Sequence, residues 1–326
     1  MARRNVYQWP FARTSIWNTP IGSGASYVPA GLAPATAWKG QVTADPEQIG
    51  VDPQAPGYPE KTLTSGDRVG GGEVRVPPDM RHRTGTGNSC ATLLRPDGRT
   101  VWQGQPLSLS AGGNPSWTYT TEATPTDLTG PGVEGCHGGS HLSGIGGSLR
   151  LGELDSDQPL RHALKMNLYC ARFCSPDNGG YRWPASTADT GYRSFYHGSV
   201  PQVQMGTLLA LPPDTDLSYV TSPKARKIAE ALRDYGAYVV DDTAWNVHAV
   251  AMDERVSESG EWPRADPRFH AELMAVITKL AAVQNNGPDR VGGGGIPRAP
   301  RAPCLDTEPG CPATPGPSLY GKPAAH

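Results

Sequence analysis

The chain of 326 residues is long enough for one large or two ordinary domains with a sizeable apolar core. Lys and Arg number 29 against 31 Asp and Glu, so no cationic excess exists to neutralise a phosphate backbone, and nucleic acid is not an expected partner. Nowhere do about 18 apolar residues run together, and no apolar stretch follows the two arginines of the opening MARRNV, so neither a membrane span nor a secretion signal is expected.

Gly (40) and Pro (33) make up about a fifth of the chain, which predicts many turns between short strands. Residues 1–80 show little periodicity and read as extended, surface-wrapping chain with short strands. The stretch CATLLRPDGRTVWQGQPLSL predicts a hairpin turning at Arg95-Pro96-Asp97-Gly98, with Pro preset for the turn and Gly free to take positive φ. Leu149 and Leu151 in GSLRLGEL alternate with polar neighbours, as do Leu160, His162, Leu164, Met166 and Leu168 in LRHALKMNLY, so each segment predicts a strand with one buried face. In that register His162 points inward and reads as a core histidine bonded to backbone.

A helix is predicted over SPKARKIAEALRDYG, with Ser222 as a cap, Pro223 in the first turn and Gly236 at the end. AYVVDDTAWNVHAVAM follows as strand, acidic turn, strand. A second helix starts at Asp266-Pro267 and runs to about Val283. The expected fold class is mainly β, β-sandwich or jelly-roll-like, with two added α-helices. The globular domain spans residues 1–284, and residues 285–326 form a Gly/Pro-rich extended tail that cannot bury enough apolar surface to fold alone. A neighbouring subunit is the partner expected to hold that tail.

Chemistry centres on GCHGGSHLSGIGGSLRLGEL, residues 135–154, where His137 and His141 stand four residues apart. On a helix they would share a face, as in the zinc motif H-E-x-x-H, but Gly138 and Gly139 each cost roughly 1 kcal/mol in helix propensity and no glutamate follows His137. No metal and no cofactor are assigned. The nucleotide-loop and nucleophile-elbow patterns fail as well, because Leu149 stands where the last glycine of G-x-G-x-x-G belongs and G-x-S-x-G lacks its final glycine. Two readings remain. In one, the glycines serve a tight turn and the histidines bond to nearby backbone. In the other, a histidine acts as general acid or base beside a carboxylate from among Glu134, Glu153, Asp241 and Asp242; His137, His141, Glu153 and Asp242 are the catalytic candidates.

Trp (8) and Tyr (12) far outnumber Phe (4), so ring surface comes mostly with a polar handle. YRWPASTADTGYRSFYHGS places Trp183, Tyr192, Tyr196 and His197 on a loop-rich stretch. Such rings suit stacking on sugars, a subunit interface or core filling, and these four are the glycan-binding candidates. Six cysteines show no zinc-type spacing. Cys304 and Cys311 could close a small disulfide loop in an oxidising medium or stay free, and Cys170 and Cys174 are equally open.

Several stretches together resemble the ordered blocks of a widespread bacterial secreted family. FARTSIWNTPIGSGA is similar to its PWNTPI opening, CHGGSHLSGIGG to its H-G-G-S-x-L-S-x-x-G-G block, LRHAL to I-R-H-A-L and YRWPAS to its W-P-A loop, across residues 9–255. The same block order resembles minor tail proteins of phages that infect actinobacteria. The secreted relatives carry a leader before the first block, whereas here it begins near Met1, as suits a virion protein made in the host cytoplasm. The resemblance implies a tail protein, a homo-oligomer contacting other phage tail proteins and the polysaccharide of the host envelope. The alternative is a glycan-cleaving enzyme, hydrolase or lyase, acting on cell-wall or extracellular polysaccharide.

Overall fold

The computed structural model describes residues 4–65, 72–81, 88, 90–120 and 124–305. Among these the chain is mainly β. The strands in chain order are β1 (Tyr27–Pro29), β2 (Thr43–Gly50), β3 (Glu60–Ser65), β4 (Gly72–Arg75), β5 (Ala91–Leu94), β6 (Thr100–Gly104), β7 (Ser108–Leu109), β8 (Pro115–Trp117), β9 (Thr126–Asp127), β10 (Leu164–Leu168), β11 (Leu208–Ala210), β12 (Ala237–Asp242), β13 (His248–Asp253) and β14 (Ala281–Val283). They join in one mixed 14-stranded sheet ordered β1-β14-β11-β12-β10-β13-β2-β5-β4-β3-β8-β7, with β6 and β9 branching from β5. Four helices accompany it where two were expected: α1 (Cys170–Phe173), α2 (Pro223–Asp234), α3 (Glu254–Glu258) and α4 (Pro267–Ile277). No helix among the described residues is long and apolar enough to cross a membrane.

The Arg95–Gly98 turn forms as its sequence dictates, and β5 pairs antiparallel with β6. Ala225, Ile228, Ala229 and Leu232 of α2 are buried. Ser222 stands at its N-cap but makes no side-chain cap bond; its amide instead donates to Glu272 Oε2 at 2.8 Å. Asp266 does cap α4, accepting from the amides of Arg268 and Phe269. That helix stops at Ile277 rather than Val283, because Ala281–Val283 pair with β1 and β11 as an inner strand.

Three expectations fail. All five residues of β10 are buried, Lys165 and Asn167 included, so the strand has no solvent face. GSLRLGEL is not a strand: Gly147 and Gly152 take φ of 75° and 91°, which breaks an extended run, and only Leu149 makes a bridge, to Met252. β2 lies deep in the sheet, parallel to both β13 and β5, although it falls in sequence read as wrapping chain. Pro46 within it lacks an amide and argues against a central strand, yet it stands opposite Met252 in the ladder.

Residues 4–42 do wrap the body, burying Trp9, Phe11, Trp17 and Ile21. The tail, as far as Leu305, lies on that same wrapping segment. Gly24 N donates to Gly294 O at 2.9 Å, Ser23 N to Ile296 O at 2.8 Å and Arg298 N to Ile21 O at 2.9 Å, while Arg13 Nε reaches Ala302 O at 2.8 Å. For this stretch the chain supplies its own support, where a neighbouring subunit was expected. Residues 306–326, with Cys311, lie outside the described residues. Cys90 pairs with Cys136 and Cys170 with Cys174, and Cys304 is disulfide-bonded too.

Candidate functional site

The site is built on one face of the central strands. Asn167 of β10 stands opposite Ala249 of β13 and Asp241 of β12, and Ala251 of β13 stands opposite Asp45 of β2. Side chains alternate along a strand, so Lys165, Asn167, Asp241, Asp45 and Glu47 share that face with the two alanines between them. The alanines leave a trough over β13, and long polar side chains from β10 and β2 meet across it. Lys165 Nζ lies 2.7 and 2.9 Å from the two carboxylate oxygens of Glu47, and Asn167 Nδ2 donates to Asp45 Oδ2 at 2.7 Å.

The glycine-rich loop closes over this trough. It is the tight turn its composition predicts: His141 N donates to His137 O at 2.7 Å, Gly135 N to His141 O at 3.0 Å and His137 N to Leu142 O at 3.2 Å. The imidazole of His137 does not bond to backbone, however. Its Nε2 lies 2.7 Å from Glu47 Oε1 and 3.1 Å from Lys165 Nζ, and its Nδ1 lies 3.5 Å from Asp241 Oδ2. Lys165 completes its shell on Ser143 O at 2.9 Å, and Ser148 Oγ donates to Glu47 Oε2. The Cys90–Cys136 disulfide ties the residue before His137 to the residue before β5. A Cβ on Gly144 would stand 2.3 and 2.4 Å from its two sulfurs, so only glycine lets the loop cross the bridge.

Burial alone would raise Glu47, but the Lys165 ammonium and His137 outweigh it and hold the carboxyl below its usual range. For Lys165 burial outweighs Glu47 and lowers the ammonium. We take the pair as ionised, since Nζ bonds both carboxylate oxygens. Burial and Lys165 work to lower His137, and the Asp241 and Glu47 carboxylates together raise it. Glu47, Cys90 and His137 bring potential metal-ligand atoms within 4.8 Å of one another. These residues do not fit a metal, because the sulfur is committed to its disulfide and the Lys165 ammonium fills the space between carboxylate and imidazole.

Beyond His137 stand further carboxylates. Asp241 accepts from Asn88 Nδ2 at 2.7 Å and from the Asp242 amide at 3.0 Å. A Cβ on Gly139 would lie 2.8 Å from Asp241 Oδ1 and 3.0 Å from both oxygens of Asp189. The two carboxyl groups therefore converge on a bare stretch of backbone, closer than the roughly 6.5–9.5 Å gap of an inverting glycosidase pair. Burial, with Asp241 alongside, pushes Asp189 up to about 6. Burial and Glu47 push Asp45 up to about 6 as well, against His137 and the Asn167 bond. Asp189, Asp45 and Asp242 keep some contact with solvent, whereas Asp241 is buried.

Of the catalytic candidates, His137 stands at the centre of this arrangement and the others do not meet it. His141, at φ 62°, turns its ring to Tyr119 OH at 2.9 Å and Ser186 Oγ at 3.1 Å. Glu153 accepts from His162 Nε2 at 3.2 Å and from the Arg150 amide at 2.7 Å. It thereby gives the core histidine a carboxylate in addition to the expected backbone partner, Ala163 O at 2.9 Å. Asp242 Oδ1 accepts from the Cys170 amide at 2.7 Å, so the carboxylate that reaches His137 is its neighbour Asp241.

The ring-rich stretch is largely a layer beneath the acids. Tyr196 is buried, and its hydroxyl donates to Asp189 Oδ2 at 2.5 Å, so its ring offers no face to a sugar. Tyr192 packs on Tyr196 with centroids 5.8 Å apart, Trp183 is half-buried against the core, and His197 is exposed. Sequence reasoning missed Asp189, on a loop without periodicity, and the four strand residues Glu47, Lys165, Asp45 and Asn167. Their one sequence signal was the polar half of a strand alternation, and that reads the same for a solvated face. Comparison with family models, with curated proteins and with solved structures finds no match to the chain.

Proposed function

We propose that the protein is a glycan-cleaving enzyme, a hydrolase of an uncharged cell-wall or extracellular polysaccharide, with Asp189 as general acid and Asp241 as nucleophile. The observation that carries this reading is the convergence of the two carboxyl groups on Gly139, with Asp189 pushed up to about 6. Two carboxyls whose surroundings differ in this way can divide the roles of acid and nucleophile. Asp189 gives its proton to the leaving glycosidic oxygen as Asp241 bonds to the anomeric carbon and the C–O bond breaks. Asp189, now ionised, then takes a proton from water, whose oxygen displaces Asp241 and restores the starting anomer. Tyr196 orients Asp189 through its hydroxyl, and His137, braced by Glu47 and Lys165, positions Asp241. The Asp241 nucleophile and its neighbour Asp242 would repel a uronate, and the Lys165 cation is spent on Glu47. Both features favour a hydrolase of neutral sugars over a lyase.

The test is incubation with arabinan and arabinogalactan, followed by reducing-end assay and proton NMR of the first product. Wild type should release oligosaccharide with retained configuration, and Asp189→Asn should lose about 10²–10⁴ in kcat, the usual contribution of a general acid. No release by wild type, or unchanged release by the variant, overturns the reading.

The order of the sequence blocks supports a second, compatible reading, in which a phage minor tail protein carries this site and a homo-oligomer bears on host-envelope glycan. Labelling of virions with antibody to this chain tests it, and absence from the particle would end it. A sandwich-like doubling of the sheet belongs to the same proposal. It is supported by the separate apolar cluster of Leu63, Val74, Leu93, Trp102, Leu107 and Trp117 at the β3–β8 end.

A further inference from the structure

Among the described residues, five large apolar side chains stand well out of the surface, and two of them are in contact with each other. Trp38 is 50% exposed and Trp245 58%, with ring centroids 5.2 Å apart and planes inclined at 45°. Neither is left there by slack backbone. Trp38 and Lys39 take φ of 47° and 59°, a region that L side chains enter at a cost and that clusters at functional sites. The amides of Thr36 and Ala37 both donate to Asn246 O, at 3.2 and 3.1 Å, and Thr243 Oγ1 donates to Trp245 O at 2.8 Å. Two separate loops are thus bonded together beside both indoles, each about half exposed.

The pair stands at the same end of the central strands as Asp45, Asp241 and Asp242. Trp38 precedes β2 and Trp245 lies in the β12–β13 turn. In the ladder Ala249 faces both Asn167 and Thr43, and Leu168 faces both His248 and Asp242. The starts of β2 and β13 and the ends of β10 and β12 therefore lie together at one end of the central strands, and Asp45, Asp241 and Asp242 lie near it.

We propose that Trp38 and Trp245 form a sugar-stacking subsite, which holds a ring of a neutral glycan chain whose scissile linkage lies at Asp189 and Asp241. This rests on the hydrolase reading and extends it to how the chain is gripped. The C–H face of a sugar covers an indole while its hydroxyls stay in water, as a half-exposed ring pair rimmed by polar Thr36 and Lys39 requires. Two rings fall far short of the roughly 800 Å² per partner that a stable protein interface buries, so a glycan is the favoured occupant. The place of the two rings with Asp241 and Asp242 at one end of the central strands supplies the direction of the chain.

The experiment is depletion of the protein from solution by insoluble arabinan and arabinogalactan, with wild type, Trp38→Ala/Trp245→Ala, Trp245→Phe and Asp189→Asn. Circular dichroism establishes that each variant is folded. The double variant should bind about tenfold or more weakly, as for loss of an aromatic anchor. Trp245→Phe should keep most of the binding, and Asp189→Asn should bind like wild type without cleaving. Equal binding by the double variant, or no binding of wild type to either polysaccharide, overturns the subsite. Tryptophan-dependent binding without cleavage by wild type would leave the subsite standing and overturn the hydrolase reading alone.

Discussion

A lysine ammonium with no exposed surface persists only where its donors are met, and Lys165 meets that condition on Glu47 and Ser143 O. Removing either charge of such a pair strands the other, so Lys165→Met and Glu47→Gln should each cost about 3–5 kcal/mol. The double replacement should cost less than the sum, read from urea titrations at neutral pH. The pH dependence follows from Glu47, whose folded value is held below its ordinary one. Its contribution is complete at neutral pH and drains away as the pH falls below the ordinary glutamate value of about 4.3 toward the folded one. Melts between about pH 7 and 3 should therefore be steeper in wild type than in the double variant. At this scale the sequence was partly legible. The glycine-flanked His137 marked the right loop, and Asp241 was among its candidate carboxylates. Lys165 and Asn167 were hidden because alternation tells which residues share a face, not whether a loop covers that face.

The loop and the sheet beneath it depend on small residues at set places. Ala251 is fully buried in the trough, and Ala251→Leu should force Lys165 and Glu47 apart at a cost of about 1–3 kcal/mol, seen as a lowered urea midpoint. Gly139→Ala would put a methyl 2.8 Å from Asp241 and 3.0 Å from Asp189. Glycan release should fall about 10²-fold, as a displacement near 1 Å can cause, with thermal stability nearly unchanged. Elements governed by local signals were readable: the Pro-Asp-Gly hairpin, the Pro-started α2 and the Asp266 cap. Elements governed by distant pairing were not. β2 carries Pro46 and three acidic or amide side chains, and it is a strand because β13 and β5 flank it.

Across the whole molecule, residues 4–42 and the described part of the tail form one strap over the body. Arg298 Nη1 donates to Leu211 O and Arg233 O, each at 3.1 Å, and Tyr235 OH donates to Pro300 O at 2.8 Å. Ending the chain after Gly295 should lower the melting temperature by several degrees, since a domain of this size shifts about 2–4 °C per kcal/mol. An unchanged melt would show that the strap holds nothing. The support of the tail was not legible, because a Gly/Pro segment carries no periodicity to say what it lies on. Catalysis as proposed requires Asp189 to act as an acid, its carboxyl pushed up to about 6 by burial. The pH dependence of kcat/KM for arabinan, measured from about pH 5 to 8, tests it most directly. The rate should fall above about 6 as Asp189 loses its proton, and Asp45→Asn should keep that limb while Asp189→Asn removes it along with most of the rate. A profile with no such fall, or one that survives intact in Asp189→Asn, would contradict the account.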